Sequence, residues 1–252
     1  MKATDPADTH TPDAIRKRLS QRGGAGYIGD FILGGIDGCV TTFAIVTASV
    51  GAGLDTVVIV VLGFANLLAD GFSMAASNFQ SARSQELLIR LARRDELNQI
   101  REHPEGEREE IKQIYAAKGF TGQLLDDVVQ HVTSDPDLWV ETMLTEELGL
   151  PIEPPHPVKA ALVTYLAFLL IGGLPLIPFI VPGLNSDMRF TLSIIAAGLS
   201  FFSVGWGKGW VFKDRKLLAG LETLATGILA AGIAYGVAVI IRHLVQQAGY
   251  AV

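Results

Sequence analysis

Cysteine is almost absent: Cys39 stands alone in 252 residues. One thiol excludes an intrachain disulfide, and with no CxxC and no Cys/His pair at zinc spacing a structural zinc site is excluded too. There is no GxxxxGK[ST] run, the loop that cradles phosphates, so ATP hydrolysis is not expected. Residues 1–22 hold no apolar core of a signal peptide, and they read as a polar, mobile tail. Tandem repeats and low-complexity tracts are missing. Positive charge is missing from one particular place: the turn Gly51–Asp55 has neither Lys nor Arg.

Apolar sequence is plentiful. The chain is 49% hydrophobic with a mean hydropathy of +0.36, too apolar for an ordinary soluble domain. A window of about 19 residues picks out membrane-spanning helices. Five stretches qualify: Phe31–Leu54, Thr56–Ala76, Val158–Val181, Phe190–Gly207 and Leu217–Ile241. Each approaches the roughly 20 apolar residues that a bilayer requires. Pro175 and Pro178 are expected to kink the third. Arg16, Lys17, Arg18 and Arg22 precede the first span, Arg83, Arg90, Arg93 and Arg94 follow the second, and Lys208, Lys213, Arg215 and Lys216 lie between the fourth and fifth. Lys and Arg favour cytoplasmic loops. The expected fold is therefore an all-α integral membrane protein with five transmembrane helices, its N-terminus inside and its C-terminus outside. A cytoplasmic helical domain is inserted after the second span. The expected layout is a polar tail (1–27), two spans (28–83), the acidic insert (84–157), three spans (158–245) and a C-terminal tail (246–252).

The net charge of −6 is unevenly placed. The insert Ser84–Pro157 has 16 acidic and 7 basic side chains, whereas the remainder has 10 and 13. An acidic block disfavours nucleic acid and suits divalent cations. The second span is expected to run on as one helix to Pro104, since no Gly or Pro interrupts Ser77–His103. Pro104 then opens a helix to Ala117, Thr121 caps a third, and Asp135-Pro136 starts a fourth that Gly149 closes. Ile111, Ile114, Tyr115, Leu124, Leu125, Val128, Val129, Leu138 and Trp139 recur at helical spacing and form the expected core.

Acids also lie inside the spans. Asp37 falls in the first, Asn66 and Asp70 in the second. A charge at the centre of a spanning helix costs about 2.5–3.5 kcal/mol on translocon scales, so an intramembrane acid reads by default as part of an ion or proton pathway. Asn66, Asp70, Met74 and Asn78 follow one another at four-residue steps and share a helix face. Asp30, Gly34, Asp37 and Thr41 form a comparable stripe on the first span. Two such stripes face to face line a polar path, and the Met74 sulfur favours a transition metal over Mg²⁺ or Ca²⁺. The plainer reading is that these groups only hydrogen-bond neighbouring helices. In the insert, Glu96 and Gln99, Glu107 and Glu110, and Met143 and Glu147 are pairs at helical spacing. Carboxylates converging from several helices are how helical bundles hold metals, although Glu pairs on an acidic helix more often form a solvated face. His103, His131 and His156 are read as surface or cap residues. Glu222 in the fifth span is expected to pair with Lys213, Arg215 or Lys216. Gly34/Gly38, Gly205/Gly209 and Gly232/Gly236 have the small-xxx-small spacing of close helix contacts.

The runs DGCVTTFAIVTASVGAG (37–53), LGFANLLADGFSMAASNFQSARSQ (62–85), EREEIKQIYAAKGF (107–120) and TSDPDLWVETMLTEELGL (133–150) resemble the vacuolar iron transporter family. The resemblance covers about Gly29 to Ile241, with five spans and the insert in the same order. It implies export of Fe²⁺, sometimes Mn²⁺, from the cytosol in exchange for protons, by a homodimer with the pathway at the subunit interface. It places the pathway aspartate on Asp37 and the pathway methionine on Met74. It places the metal ligands of the cytoplasmic domain on Glu96, Glu107, Glu110, Met143 and Glu147. Gln99 stands where that domain usually has an acid, and Asn78 where many members have Glu.

The expected function is thus a proton-coupled Fe²⁺ transporter, with the transport pathway on Asp37, Met74, Asp70 and Asn66, metal ions and protons as partners, and no resident cofactor. The alternatives are a Mn²⁺ or general divalent exporter of the same architecture and a membrane-anchored metal-binding or storage protein. No enzyme activity is expected, because a di-metal oxidase needs Glu-x-x-His and the insert is expected to have none. The absence of a long targeting segment favours a bacterial plasma membrane, with a vacuolar membrane as the eukaryotic counterpart.

Overall fold

The computed structural model describes residues 11–20 and 27–248. Arg22 and residues 1–10 and 21–26 of the expected tail, and residues 249–252, lie outside the described residues. The described residues are helical throughout, with no strand. Helix α1 is Pro12–Ser20, α2 Ile28–Ala52, α3 Thr56–Glu102, α4 Pro104–Ala117, α5 Gly122–Thr133 and α6 Pro136–Thr142. Then follow α7 Pro157–Gly172, the short α8 Ile177–Ile180, α9 Ser186–Val211 and α10 Lys216–Gln247.

Part of the expected polar tail is helical, as α1. The Thr11 hydroxyl accepts from the Ala14 N–H at 3.3 Å, and Pro12 and Asp13 occupy the first turn. That is a cap, a preset φ and a favourable dipole partner in three consecutive residues.

Five helical segments are long and apolar enough to cross a membrane: Ile28–Ala52, Thr56–Glu102, Pro157–Ile180, Ser186–Val211 and Lys216–Gln247. The protein is an integral membrane protein. The first span ends where Gly53 takes the left-handed conformation, φ 76°, and its N–H bonds the Val50 carbonyl at 3.0 Å. The third breaks as its prolines predict: α7 gives way to a 3-10 turn at Leu174–Leu176 before α8. The fourth starts at Ser186, four residues earlier than expected, because the Asn185 side chain caps it by accepting from the Met188 N–H at 2.8 Å.

The described chain divides into two compact units. One runs to Phe79 and resumes at Val158; the other is Gln80–Pro157. The core of the first joins Cys39, Phe43 and Val46 of α2, Ile59 and Leu67 of α3, Phe168 of α7 and Phe201 of α9. Its closest packing runs through glycines. A Cβ on Gly38 would lie 2.6 Å from the Phe168 carbonyl oxygen, one on Gly172 would lie 2.6 Å from the Gly38 oxygen, and one on Gly34 would collide with the Thr164 carbonyl. Helices α2 and α7 therefore meet backbone to backbone. Gly205 and Gly209 of α9 play the same part against Ala219 and Lys216. Gly232 and Gly236, with the same spacing, have nothing within 4 Å. Gly38→Val is accordingly expected to cost about 1–3 kcal/mol through overpacking, whereas Gly232→Ala should be neutral. The midpoint of thermal aggregation in detergent, followed by size-exclusion chromatography, measures both.

The second unit has its own core. Ile111, Leu125, Val129, Val132, Trp139 and Met143 are buried together, with Ile100, Ile114, Tyr115, Phe120, Val128 and Leu138 against them. Leu124 is not part of it and is 59% exposed, because its neighbour Leu125 takes the inward position. Asp135 caps α6 as expected, accepting from the Asp137 N–H at 3.0 Å. Thr121 precedes α5 without a side-chain cap bond. Met143–Glu147 form a π-helical turn, and the Leu148 N–H reaches back to the Met143 carbonyl at 3.2 Å.

Candidate functional site

In the membrane unit, α2 brings Asp37 and α3 brings Asp70 within Coulombic reach of each other. Both are half-buried. Neither makes an ion pair with any described residue. Two carboxylates in a low-dielectric slab repel strongly unless a cation or a proton stands between them. Asn66 lies one turn before Asp70, and its Nδ2 is buried with no hydrogen-bond partner. A buried amide donor left unpaired costs about 1–3 kcal/mol. Met74, one turn after Asp70, is half-buried and packs against the apolar core. The four expected pathway residues thus occupy one face of α3 and the facing part of α2.

The ends of the two stripes behave differently. The Thr41 hydroxyl donates to the Asp37 backbone carbonyl at 3.0 Å and so serves its own helix. Asn78 acts as glue: its Nδ2 donates to Asp30 Oδ1 at 2.8 Å, Thr164 Oγ1 at 2.7 Å and the Ala160 carbonyl at 3.3 Å. Asn78 thus ties α3 to α2 and α7, whereas Thr41 bonds only within α2. Thr164 is a member that sequence reasoning missed. Its signal was a Thr in the apolar run of α7, where it is fully buried.

In the second unit, Glu96 and Glu107 are only 3% and 4% exposed. Each has a buried Oε2 with no hydrogen-bond partner. Glu107 lies one turn before the buried Ile111, on the inward face of α4. Burial first, then the charges of Glu147, Glu107, Glu110 and Asp95, push the Glu96 carboxyl up to about 7. Burial, then Glu110 and Glu147, also raise Glu107, with His103 acting in the opposite sense. Glu147 is largely exposed, yet desolvation and then Glu110 raise it as well. The four glutamates therefore share one electrostatic neighbourhood, and Asp95 is a neighbour the sequence reading left out. Glu86, by contrast, is held below the usual carboxylate range by the Arg83 hydrogen bond, with Arg90 adding to it.

Four expectations need adjusting. Met143 is fully buried in the apolar core, whereas Glu147 is exposed, so the expected pair does not present one common face. Both lie in the π-turn Met143–Glu147, and π-turns gather at functional sites. Among the described residues, no three His, Cys, Asp or Glu side chains stand close enough to hold a metal ion as they are placed. Glu153 and His156 do have Glu-x-x-His spacing, but Pro154 and Pro155 separate them in a non-helical link, so they share no helix face. Glu222 is exposed on α10 and pairs with none of Lys213, Arg215 or Lys216.

Five membrane-length helices, with half-buried carboxylates on the first two and an acid-rich helical segment in the chain between the second and third, define a polytopic membrane protein. Residues 28–239 match the sequence model of the VIT family, and the chain belongs to that family. It is similar to the vacuolar iron transporter of Toxoplasma gondii, 31% identical over 228 residues that cover 87% of this chain and 76% of that one. It is also similar to vacuolar iron transporter 1 of Arabidopsis thaliana, 28% identical over 217 residues that cover 85% of this chain and 86% of that one.

Proposed function

We propose that the chain is a transporter of divalent metal ions, with Fe²⁺ as the principal substrate, driven by proton exchange. The observation that carries the reading is the facing pair Asp37 and Asp70, lodged among apolar helices with no cationic partner among the described residues. A divalent cation between them offsets their repulsion, and protonation of both releases it. Asn66 and Met74 supply an amide and a thioether on the same face of α3. That mixed donor set suits Fe²⁺ or Mn²⁺ better than Mg²⁺ or Ca²⁺. The related proteins of known name are iron transporters, in agreement with this choice.

Glu96, Glu107, Glu110, Met143 and Glu147 collect the metal on the cytoplasmic side, and export from the cytosol is the direction. Positive charge at the ends of the spans supports an N-terminus inside the cell, in a bacterial plasma membrane or a eukaryotic vacuolar membrane. Only 22% of the apolar window of α3 and 11% of that of α10 are buried within the chain. Surface of that extent suits both lipid and a second copy, so the working form is a homodimer.

Uptake of Fe²⁺ into sealed proteoliposomes, with and without an imposed pH gradient, tests the reading. Uptake that follows the gradient supports it. Metal binding without transfer across the bilayer replaces it with a storage role, and preferential uptake of Mn²⁺ in competition moves it to a manganese exporter.

A further inference from the structure

We propose that the membrane unit carries a site for one anionic phospholipid, with the lipid phosphate on Lys208 and an acyl chain in the groove between α2, α7 and α9. The groove encloses about 510 Å³, within the roughly 300–1,000 Å³ usual for small-molecule sites. Phe31 and Ile32 of α2, Ile171 of α7, and Val204, Lys208 and Trp210 of α9 line it. Lys208 is the one charged side chain among the described lining residues.

The chemistry of the walls selects the occupant. A free anion would find a single cation and an apolar floor. A phospholipid presents a negative headgroup joined to a chain, the same order of charge and hydrocarbon that the groove offers. Lys208 is exposed, and it makes no ion pair with any described residue. Lys213, Arg215 and Lys216 follow in the adjoining turn, all exposed and without ion pairs among the described residues. The acid of that turn, Asp214, accepts the Arg215 N–H. Trp210 is 62% exposed beside them, as is usual for a ring at headgroup level. A Cβ on Gly207 would meet nothing within 4 Å, so the groove is open along this wall. Basic pockets between spanning helices recognise acidic headgroups in this way. The site is separate from the carboxylate pathway and does not depend on the transport reading.

Nanodiscs of phosphatidylcholine containing the full chain, doped with photoactivatable-acyl phosphatidylglycerol or phosphatidylcholine, test the site. The phosphatidylglycerol probe should label the segments around Phe31 and Trp210 several-fold more than the phosphatidylcholine probe. Lys208→Gln should cut that excess about fivefold, the equivalent of the roughly 1 kcal/mol that one basic side chain contributes at an anionic surface. Ser203→Trp places a ring in the groove and should suppress labelling by both probes; Ser203 is exposed, so neither variant disturbs the core. Equal labelling by the two headgroups, or no effect of Lys208→Gln or Ser203→Trp, overturns the proposal. So does loss of labelling on adding inorganic phosphate, or cross-linking of two copies of the chain through the groove in place of lipid.

Discussion

Asp37→Ala is expected to abolish metal-dependent proton flux in proteoliposomes. The loss should exceed the roughly 10–100-fold that removal of a merely supporting group costs a metal site. Asp37 and Asp70 belong together because the charge of Asp70 acts on Asp37. Removal of one leaves a single carboxylate in the slab, which no longer needs a divalent ion to offset it. Asp70→Asn should therefore be nearly as severe. Met74→Leu keeps the volume and removes the sulfur, so it should shift selectivity away from Fe²⁺ more than it lowers the rate. Asp214→Asn, in an exposed turn, serves as the control and should leave flux unchanged. Full flux in Asp37→Ala would remove that residue from the pathway and leave the facing acids as helix glue.

The second large effect has two signs in one variant. Glu107→Gln should lower metal affinity of the full chain by at least about tenfold. The same change should raise the metal-free thermal midpoint by about 2–4 °C, the shift that ~1 kcal/mol produces in a chain of this size. The reason is that Glu96 and Glu107 are buried among like charges with unpartnered oxygens. Without metal they repel, and under the proposed reading a bound metal offsets that repulsion. The pH dependence follows from the same charges. The Glu96 carboxyl is raised in the folded state to about 7, so the folded chain holds a proton that the unfolded chain releases near the ordinary carboxylate value. Its contribution to stability is complete at low pH and is lost as pH rises through about 7. Metal binding must displace that proton, so affinity should climb over the same range. Calorimetric titration with Mn²⁺ between pH 5.5 and 8, roughly centred on that value, measures both trends. A flat affinity profile, or a less stable metal-free Glu107→Gln, would remove the cluster from metal capture.

The membrane part of the fold was legible in the sequence because lipid imposes a length rule that few other structures satisfy. Five apolar runs map to five spanning segments. Their ends were less legible, because caps decide them: Gly53 and Asn185 set two boundaries through single hydrogen bonds. Spacing identified glycines that could meet a neighbour, but only the folded bundle tells Gly34 and Gly38, which do, from Gly232 and Gly236, which do not. On the site, the residues on one helix face were readable from the four-residue step. The depth of each side chain was not. Met143 and Glu147 are four apart, yet the fold buries one in the apolar core and leaves the other exposed. The resemblance put Glu96 and Glu107 on the same footing as Glu110, and only three-dimensional burial separates them from it.

The glycine contact between α2 and α7 bears on how Asp37 could be shown to one side of a membrane and then to the other. Main chain touches main chain at Gly38 and Gly172, with no rotatable group in between. Such a joint has no alternative rotamers to switch among, and packed interfaces shift between discrete arrangements rather than yielding gradually. No side chain fits between the two helices at Gly38 or Gly172, so Asp37, one residue before that contact, sits where α2 is held closest to α7.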